Sequence, residues 1–249
     1  HISKNKILIN KSNNLKILIA SPSFYDSPHI YGNFLFSDFF EWFEFLKKII
    51  NKTKYDWYIK PHPNAPKSDY EFYEKFVSDK KNVYLLPAEC SNSQIIKEGI
   101  EFILTVHGSI GSETPLLGAR VINASPNNPH INFNFNFNPK NIAEYEKCLL
   151  NLNELKKNKI NLDELYIYYF MRYIYYTNNY LLRGPKQKLH KNYVYSNDLY
   201  LDWVEKFNSS RHEELCRYIK NFINSGDYMY NFKHEEIDLL QSFNLNNSN

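Results

Sequence analysis

Apolar residues in the first two-thirds of the chain follow two alternating rhythms. Short, largely apolar runs at 15–20, 57–59, 83–86, 102–106 and 120–123 read as five strands buried on both faces. Between them the apolar period lengthens to that of a helix. Over 38–50, Phe39, Trp42, Phe43, Leu46, Ile49 and Ile50 share one face, and Asp38 with Glu41 forms a capping box. A second helix is expected over 68–78, with Tyr70, Tyr73 and Val77 on one side. Further helices are expected over 91–98, closed by Gly99, over 113–117, closed by Gly118, and over 141–152. Strands separated by helices imply parallel order and right-handed crossovers. The expectation is therefore a doubly wound, mostly parallel α/β sheet of Rossmann-like type, with its ligand crevice beyond the carboxyl ends of the strands. The stretch 132–138, NFNFNFN, alternates strictly and reads as an irregular or edge segment.

Past residue 155 the strand rhythm stops. A long tyrosine-rich helix is expected over 161–180, with Asn161 and Glu164 as its capping pair. Helices over 199–207, 211–223 and 235–243 follow, with a loop at 183–185 and a frayed end from 244. The division expected is a Rossmann-like domain at 1–155 and a helical section at 156–249.

Composition narrows the function classes. Among 249 residues, 30 Lys and Arg against 27 Asp and Glu leave a net charge of +3, too weak and too dispersed for a duplex nucleic-acid binder, so no nucleic-acid partner is expected. A hydrophobic share of 43% excludes global disorder, yet no apolar run is long enough for a transmembrane helix. The three cysteines, Cys90, Cys148 and Cys216, are widely spaced, which suits a reducing compartment and gives a cytoplasmic expectation. The sequence opens on His1 with no apolar leader, so a fragment of a longer chain is expected. Glycine occurs only 7 times, and two of the seven sit together at 108 and 111.

Polar groups gather at three strand ends. In Lys60-Pro61-His62-Pro63, two prolines fix the backbone around one imidazole. Held at the mouth of the sheet, His62 can donate to a phosphate oxygen while Lys60 supplies charge; the competing reading is a turn histidine with no ligand. In His107-Gly108-Ser109-Ile110-Gly111-Ser112-Glu113, glycines permit close backbone approach, a helix start offers free N–H groups, and two serines add hydroxyls. Glu113 falls in the expected first helical turn, where a carboxylate stabilises the helix and could also accept from both hydroxyls of a ribose. The spacing is neither GxGxxG nor a Walker loop. The third loop, 21–29, carries hydroxyls, Asp26 and His29, the candidate for a second catalytic group. HExxH and GxSxG are both absent, which removes zinc-protease and α/β-hydrolase readings.

KPHP after one strand and HGSxGSE after a strand two units later resemble the carboxyl-terminal half of a GT-B glycosyltransferase, most closely the bacterial capsule polysaccharide synthesis and export family. That family includes retaining transferases that move Kdo from a CMP-linked donor, and related His-Pro elements occur in polysialyltransferases and CDP-glycerol-dependent teichoic-acid polymerases. The resemblance spans roughly 15–152. It implies a nucleotide-sugar donor, cytidine-linked in the family's manner, and a saccharide or lipid-linked acceptor. By motif, His62 contacts the donor phosphate beside Lys60, His107, Gly108, Ser109 and Ser112 line the phosphate side, and Glu113 holds the ribose. His130, in Asn128-Pro129-His130 after the fifth strand, joins the candidate donor-binding set, and His62 and His29 are the candidate catalytic groups. No Asp-x-Asp pair stands at a strand end, so neither an obligatory metal nor another cofactor is expected. Only one Rossmann-like half is visible, so a donor domain without its acceptor half, inactive alone, is expected. A CDP-alditol phosphotransferase or a sugar 2-epimerase of the same architecture are the enzymatic alternatives. A non-catalytic binding module is the other, with the tyrosine-rich helix at 166–180 docking a partner subunit or a membrane face; the basic run at 186–191 separately suits an anionic acceptor or a lipid surface, and so peripheral membrane contact.

Overall fold

The structure, a computed structural model, describes residues 7–25 and 34–175, together with 217, 220, 221 and 223–226. Each expected apolar run forms a strand: β1 (Lys16–Ala20), β2 (Asp56–Lys60), β3 (Val83–Leu85), β4 (Phe102–Thr105) and β5 (Arg120–Asn123). They make one all-parallel sheet in the order β3-β2-β1-β4-β5. The chain winds outward from β1 to β3, returns past β1 and continues to β5. The strand order therefore reverses between β1 and β4, the position where doubly wound sheets open a crevice.

The two-residue period of the strands distributes their side chains between two cores. Ile17, Ile19, Trp57, Ile59, Phe102, Leu104 and Ile122 face one side, under the helices α1 (Phe39–Lys52), α2 (Lys67–Val77) and α5 (Ile142–Leu150). Leu18, Tyr58, Ile103 and Val121 face the other, under α3 (Asn92–Lys97) and the segment leading into it. Burial on both faces explains why the strands lack apolar–polar alternation. The predicted caps form: Asp38 accepts from the Glu41 amide at 2.7 Å, and Asn161 from the Glu164 amide at 3.3 Å; Asn141 likewise accepts from the Glu144 amide at 2.9 Å, a cap the sequence reading did not mark. Trp42 and Tyr145 tie α1 to α5 through a buried Nε1–H to hydroxyl bond of 3.0 Å.

Two local expectations are corrected. The buried stripe of α2 is Asp69, Tyr73 and Phe76, with Tyr70 and Val77 only half-buried. Both sets have helical spacing. Asp69 turns inward because it accepts the Phe24 amide (3.0 Å) and the Ser23 hydroxyl (3.4 Å). The helix expected over 113–117 begins earlier, as the four-residue α4 (Ile110–Glu113), and Pro115–Leu117 is a 3-10 turn closed by Gly118 at φ +90°. A proline has no N–H to continue the ladder, so α4 stops before it. The NFNFNFN stretch is irregular, as expected, and touches the sheet through one bridge from Phe137 to Ile122 at the β5 edge.

The chain divides into two compact units, 1–168 and 169–249. The first runs past the boundary expected at 155 through a four-residue turn of helix, α6 (Leu152–Leu155), and α7 (Leu162–Tyr169), which buries Leu165 and Tyr168. Tyr168 packs edge-on to the ring of His130 at 5.8 Å. In the second unit, Phe170–Tyr175 is π-helical, and the described positions at 217, 220, 221 and 223–225 are helical. The expected helices at 199–207 and 235–243, the loop at 183–185 and the basic run at 186–191 lie outside the described residues. Among those described, no helix is long and apolar enough to cross a membrane.

Candidate functional site

Register decides which polar groups can meet. Lys60 pairs with Ala20, Ile19 with Leu104, and Thr105 with Asn123, so four strands end at one level of the sheet. The Ser21 amide reaches the Lys60 carbonyl at 3.0 Å, and the Ala124 amide reaches the Thr105 carbonyl at 2.7 Å, carrying the parallel pattern one residue further. The KPHP and HGSIGSE segments therefore leave the same edge from strands that flank β1. Two strand spacings, roughly 10 Å, separate their starting points.

His62 follows β2 in a tight turn. The Ala65 amide donates to its carbonyl at 2.9 Å, and the Asn64 amide donates to its Nδ1 at 3.2 Å. Because Nδ1 accepts, the ring proton sits on Nε2, which gives the half-buried imidazole one donor beyond the turn. Lys60 donates from Nζ to Asn92 Oδ1 at 2.6 Å. Burial lowers the Lys60 pKa below the usual lysine value, and the Cys90 and Glu113 side chains oppose that shift electrostatically. The Lys60 ammonium on β2 thus senses the carboxylate that follows β4. Cys90 is buried, and that burial raises its thiol pKa.

The glycine turn after β4 is exposed at Gly108, Ser109 and Glu113 and closed below. The Gly111 amide donates to the Gly108 carbonyl (2.9 Å), and those of Ser112 and Glu113 donate to the Ser109 carbonyl (2.9 and 3.1 Å). These three amides are occupied within the turn. The Gly108 amide meets Thr105 Oγ1 at 3.3 Å. Ser112 is 2% exposed and donates to the Ser109 carbonyl at 3.0 Å, so its hydroxyl faces the turn and not the crevice. His107 is half-buried, with its ring stacked on Phe34 at 5.0 Å and 9°.

His130 is also turned inward, at 2% exposure. Its Nε2 lies 3.2 Å from Asn123 Nδ2, in a buried group that includes Asn128 and Ser125. The first loop is divided. Ser21 bonds the Tyr73 hydroxyl at 2.7 Å and Ser23 bonds Asp69, so both hydroxyls point to α2. Asp26 and His29 lie outside the described residues.

Asn92, Asn123 and Asn136 belong to the site's support, and no motif marked them. The only signal was positional: Asn92 opens the helix beyond β3, Asn123 ends an apolar strand, and Asn136 lies in the strict Phe–Asn alternation. An open cavity of about 580 Å³ lies at the opposite end of the strands, lined by Ile9, Lys11, Lys16 and Glu98. There the Glu98 carboxylate already accepts the Leu8 and Ile9 amides. Among the described residues no three His, Cys, Asp or Glu side chains are grouped to hold a metal. No family model, curated protein or solved structure matches this chain.

Proposed function

We propose that the carboxyl edge between β2 and β4 binds the nucleotide part of an activated sugar, and that the chain is the donor-binding half of a glycosyltransferase. The observation that carries this reading is the shared edge: His62 and Lys60 after β2, and Gly108, Ser109 and Glu113 after β4, all beyond strands that end in register. In glycosyl transfer the bond from the anomeric carbon to the phosphate oxygen breaks, and its electron pair stays on the phosphate. His62 Nε2–H, the Lys60 ammonium and the Ser109 hydroxyl are donors suited to that developing charge. Fixed donors need no reorganisation as the charge appears. Gly108 allows the phosphate close to the backbone, and the exposed Glu113 carboxylate can accept from ribose hydroxyls. The likeness of the two motifs to the capsule polysaccharide synthesis and export family favours a cytidine-linked donor.

Calorimetric titration with CMP, CDP, UMP and UDP tests the reading. Binding of one or more is expected, with the His62→Ala variant weakened about tenfold or more, the loss expected for a hydrogen bond to a charged group. Equal affinity in wild type and His62→Ala would sink the assignment of His62. No binding by any of the four would overturn the function and favour a non-catalytic module. If nucleotides bind, product analysis with sugar-linked and alditol-linked donors separates glycosyl transfer from alditol-phosphate transfer.

A further inference from the structure

The asparagine-rich segment after β5 packs beneath the glycine turn, and its hydrogen bonds fix the orientation of the amides that matter. Asn128 Nδ2 donates to the Ser125 carbonyl (3.1 Å), while its Oδ1 accepts the His130 amide (3.2 Å). Asn138 Oδ1 accepts from Asn123 Nδ2 at 2.7 Å and from Asn128 Nδ2 at 3.4 Å. Asn123 must therefore present Nδ2 to His130 as well. An amide nitrogen only donates, so His130 Nε2 is an acceptor and the ring proton is on Nδ1.

Two features tie this network to the turn above it. Pro115 lacks the N–H that would reach the Gly111 carbonyl, and Asn136 Nδ2 takes that acceptor instead, at 2.6 Å. A Cβ on Gly111 would stand 2.9 Å from His130 Cε1 and 3.3 Å from Asn123 Oδ1. The glycine is required for space, since its φ is not positive. The network also keeps a destabilising group. Asn123 is fully buried and its Oδ1 has no hydrogen-bond partner among the described residues. A buried unsatisfied acceptor carries a desolvation penalty that an apolar side chain of similar shape avoids. A core shaped by stability alone would place such a side chain there.

We propose that Asn123, His130 and Asn136 are positioning residues that hold the glycine turn from below, setting where Gly108 and Ser109 present themselves at the crevice. Their effect on ligand affinity rests on the nucleotide-binding reading of the same edge; their effect on the turn does not. His130 itself touches no ligand.

The test combines a mutant cycle with a ligand-free readout on the full chain. Gly111→Ala is expected to weaken CMP or CDP binding about tenfold or more, because displacements of about an ångström in a binding constellation have effects of that order. In a His130→Ala background, which removes the ring that the new methyl meets, the same change is expected to lower affinity less than about twofold. Equal effects in both backgrounds would overturn the proposal. Amide chemical shifts of Gly108 and Ser109, read without nucleotide, form the second arm. His130→Gln keeps an acceptor for Asn123 and is expected to leave these shifts near wild type, whereas His130→Leu and Asn136→Ala move them. Equal shifts in the Gln and Leu variants, with Asn136→Ala silent, would also overturn it. Should His130→Leu fail to fold, the comparison of Asn136→Ala, at a half-buried position, with His130→Gln still decides. Absence of nucleotide binding in the wild type would remove the function, while the shifts would still report on the support.

Discussion

Four loops leave the same edge of the sheet with similar residue types, and they divide into two kinds. Those after β2 and β4 keep groups turned outward: half-buried His62 and exposed Gly108, Ser109 and Glu113. Those after β1 and β5 turn theirs in: Ser21 and Ser23 onto α2, and Asn123, Ser125, Asn128 and His130 into the buried network. The difference lies in available partners, not in chemistry. After β1, a neighbouring helix offers the Tyr73 hydroxyl as a partner and the Asp69 carboxylate as an acceptor. After β5, the chain doubles back and supplies its own amides. After β2, Pro61 and Pro63 contribute no N–H, and the turn uses only one side of the imidazole. A polar residue at a strand end is available to a ligand only when the fold gives it nothing better to bind.

This contrast predicts separate consequences for the two kinds of loop. The largest effect on stability is expected from Asp69→Ala, which strands the Ser23 hydroxyl and the Phe24 amide in a buried site. Two such groups at about 1–3 kcal/mol each would sum to roughly 2–6 kcal/mol, read from urea unfolding. Nucleotide affinity of the folded fraction should hardly change. If affinity collapses with it, the loop after β1 belongs to the crevice.

His62→Ala should do the reverse. Affinity falls about tenfold or more, while stability stays within about 0.5 kcal/mol, as for an ordinary surface change. Loss of stability comparable to Asp69→Ala would place His62 with the inward loops.

Lys60 gives a pH test. Burial lowers its pKa from 10.5. Unliganded stability therefore lacks a contribution at neutral pH and gains it as pH rises through the lowered value towards 10.5. Affinity for a phosphate has the opposite sign, because the ammonium that attracts the anion is lost over the same alkaline window. Lys60→Met should flatten both curves. An unaltered alkaline fall in affinity would show that another group is responsible.

The smallest effect is expected from Ser112→Ala, whose hydroxyl is held by the Ser109 carbonyl. Affinity should change less than about twofold, since losing a neutral bond inside the turn is worth on the order of 1 kcal/mol of stability and removes no ligand contact. Ser109→Ala, at the exposed position, should weaken binding more than Ser112→Ala. The opposite ranking would reverse the assignment of the two serines.

Much of the fold is legible in the amino-acid pattern alone. Five apolar runs, the capping pairs at Asp38 and Asn161, and the glycines at 99 and 118 are local signals. Local backbone preference and period govern them directly. The inward turn of Asp69 is not legible, because 69-73-76 and 70-73-77 are both helical stripes and only the Ser23–Phe24 loop packed against α2 chooses between them. Nor is the fate of the paired serines in HGSIGSE. Each follows a glycine in a similar setting, and only the packed turn shows that Ser112 is buried on the Ser109 carbonyl while Ser109 is exposed.

The sequence by itself determined the elements, their alternation and the edge on which the two motifs must emerge. Periodicity and parallel crossovers leave few other arrangements. Tertiary structure alone decided the order of the strands, the closing of the loops after β1 and β5, and the packing of an imidazole beneath Gly111. Those outcomes depend on hydrogen-bond partners distant in the chain, and no local pattern encodes which distant group will be free to accept.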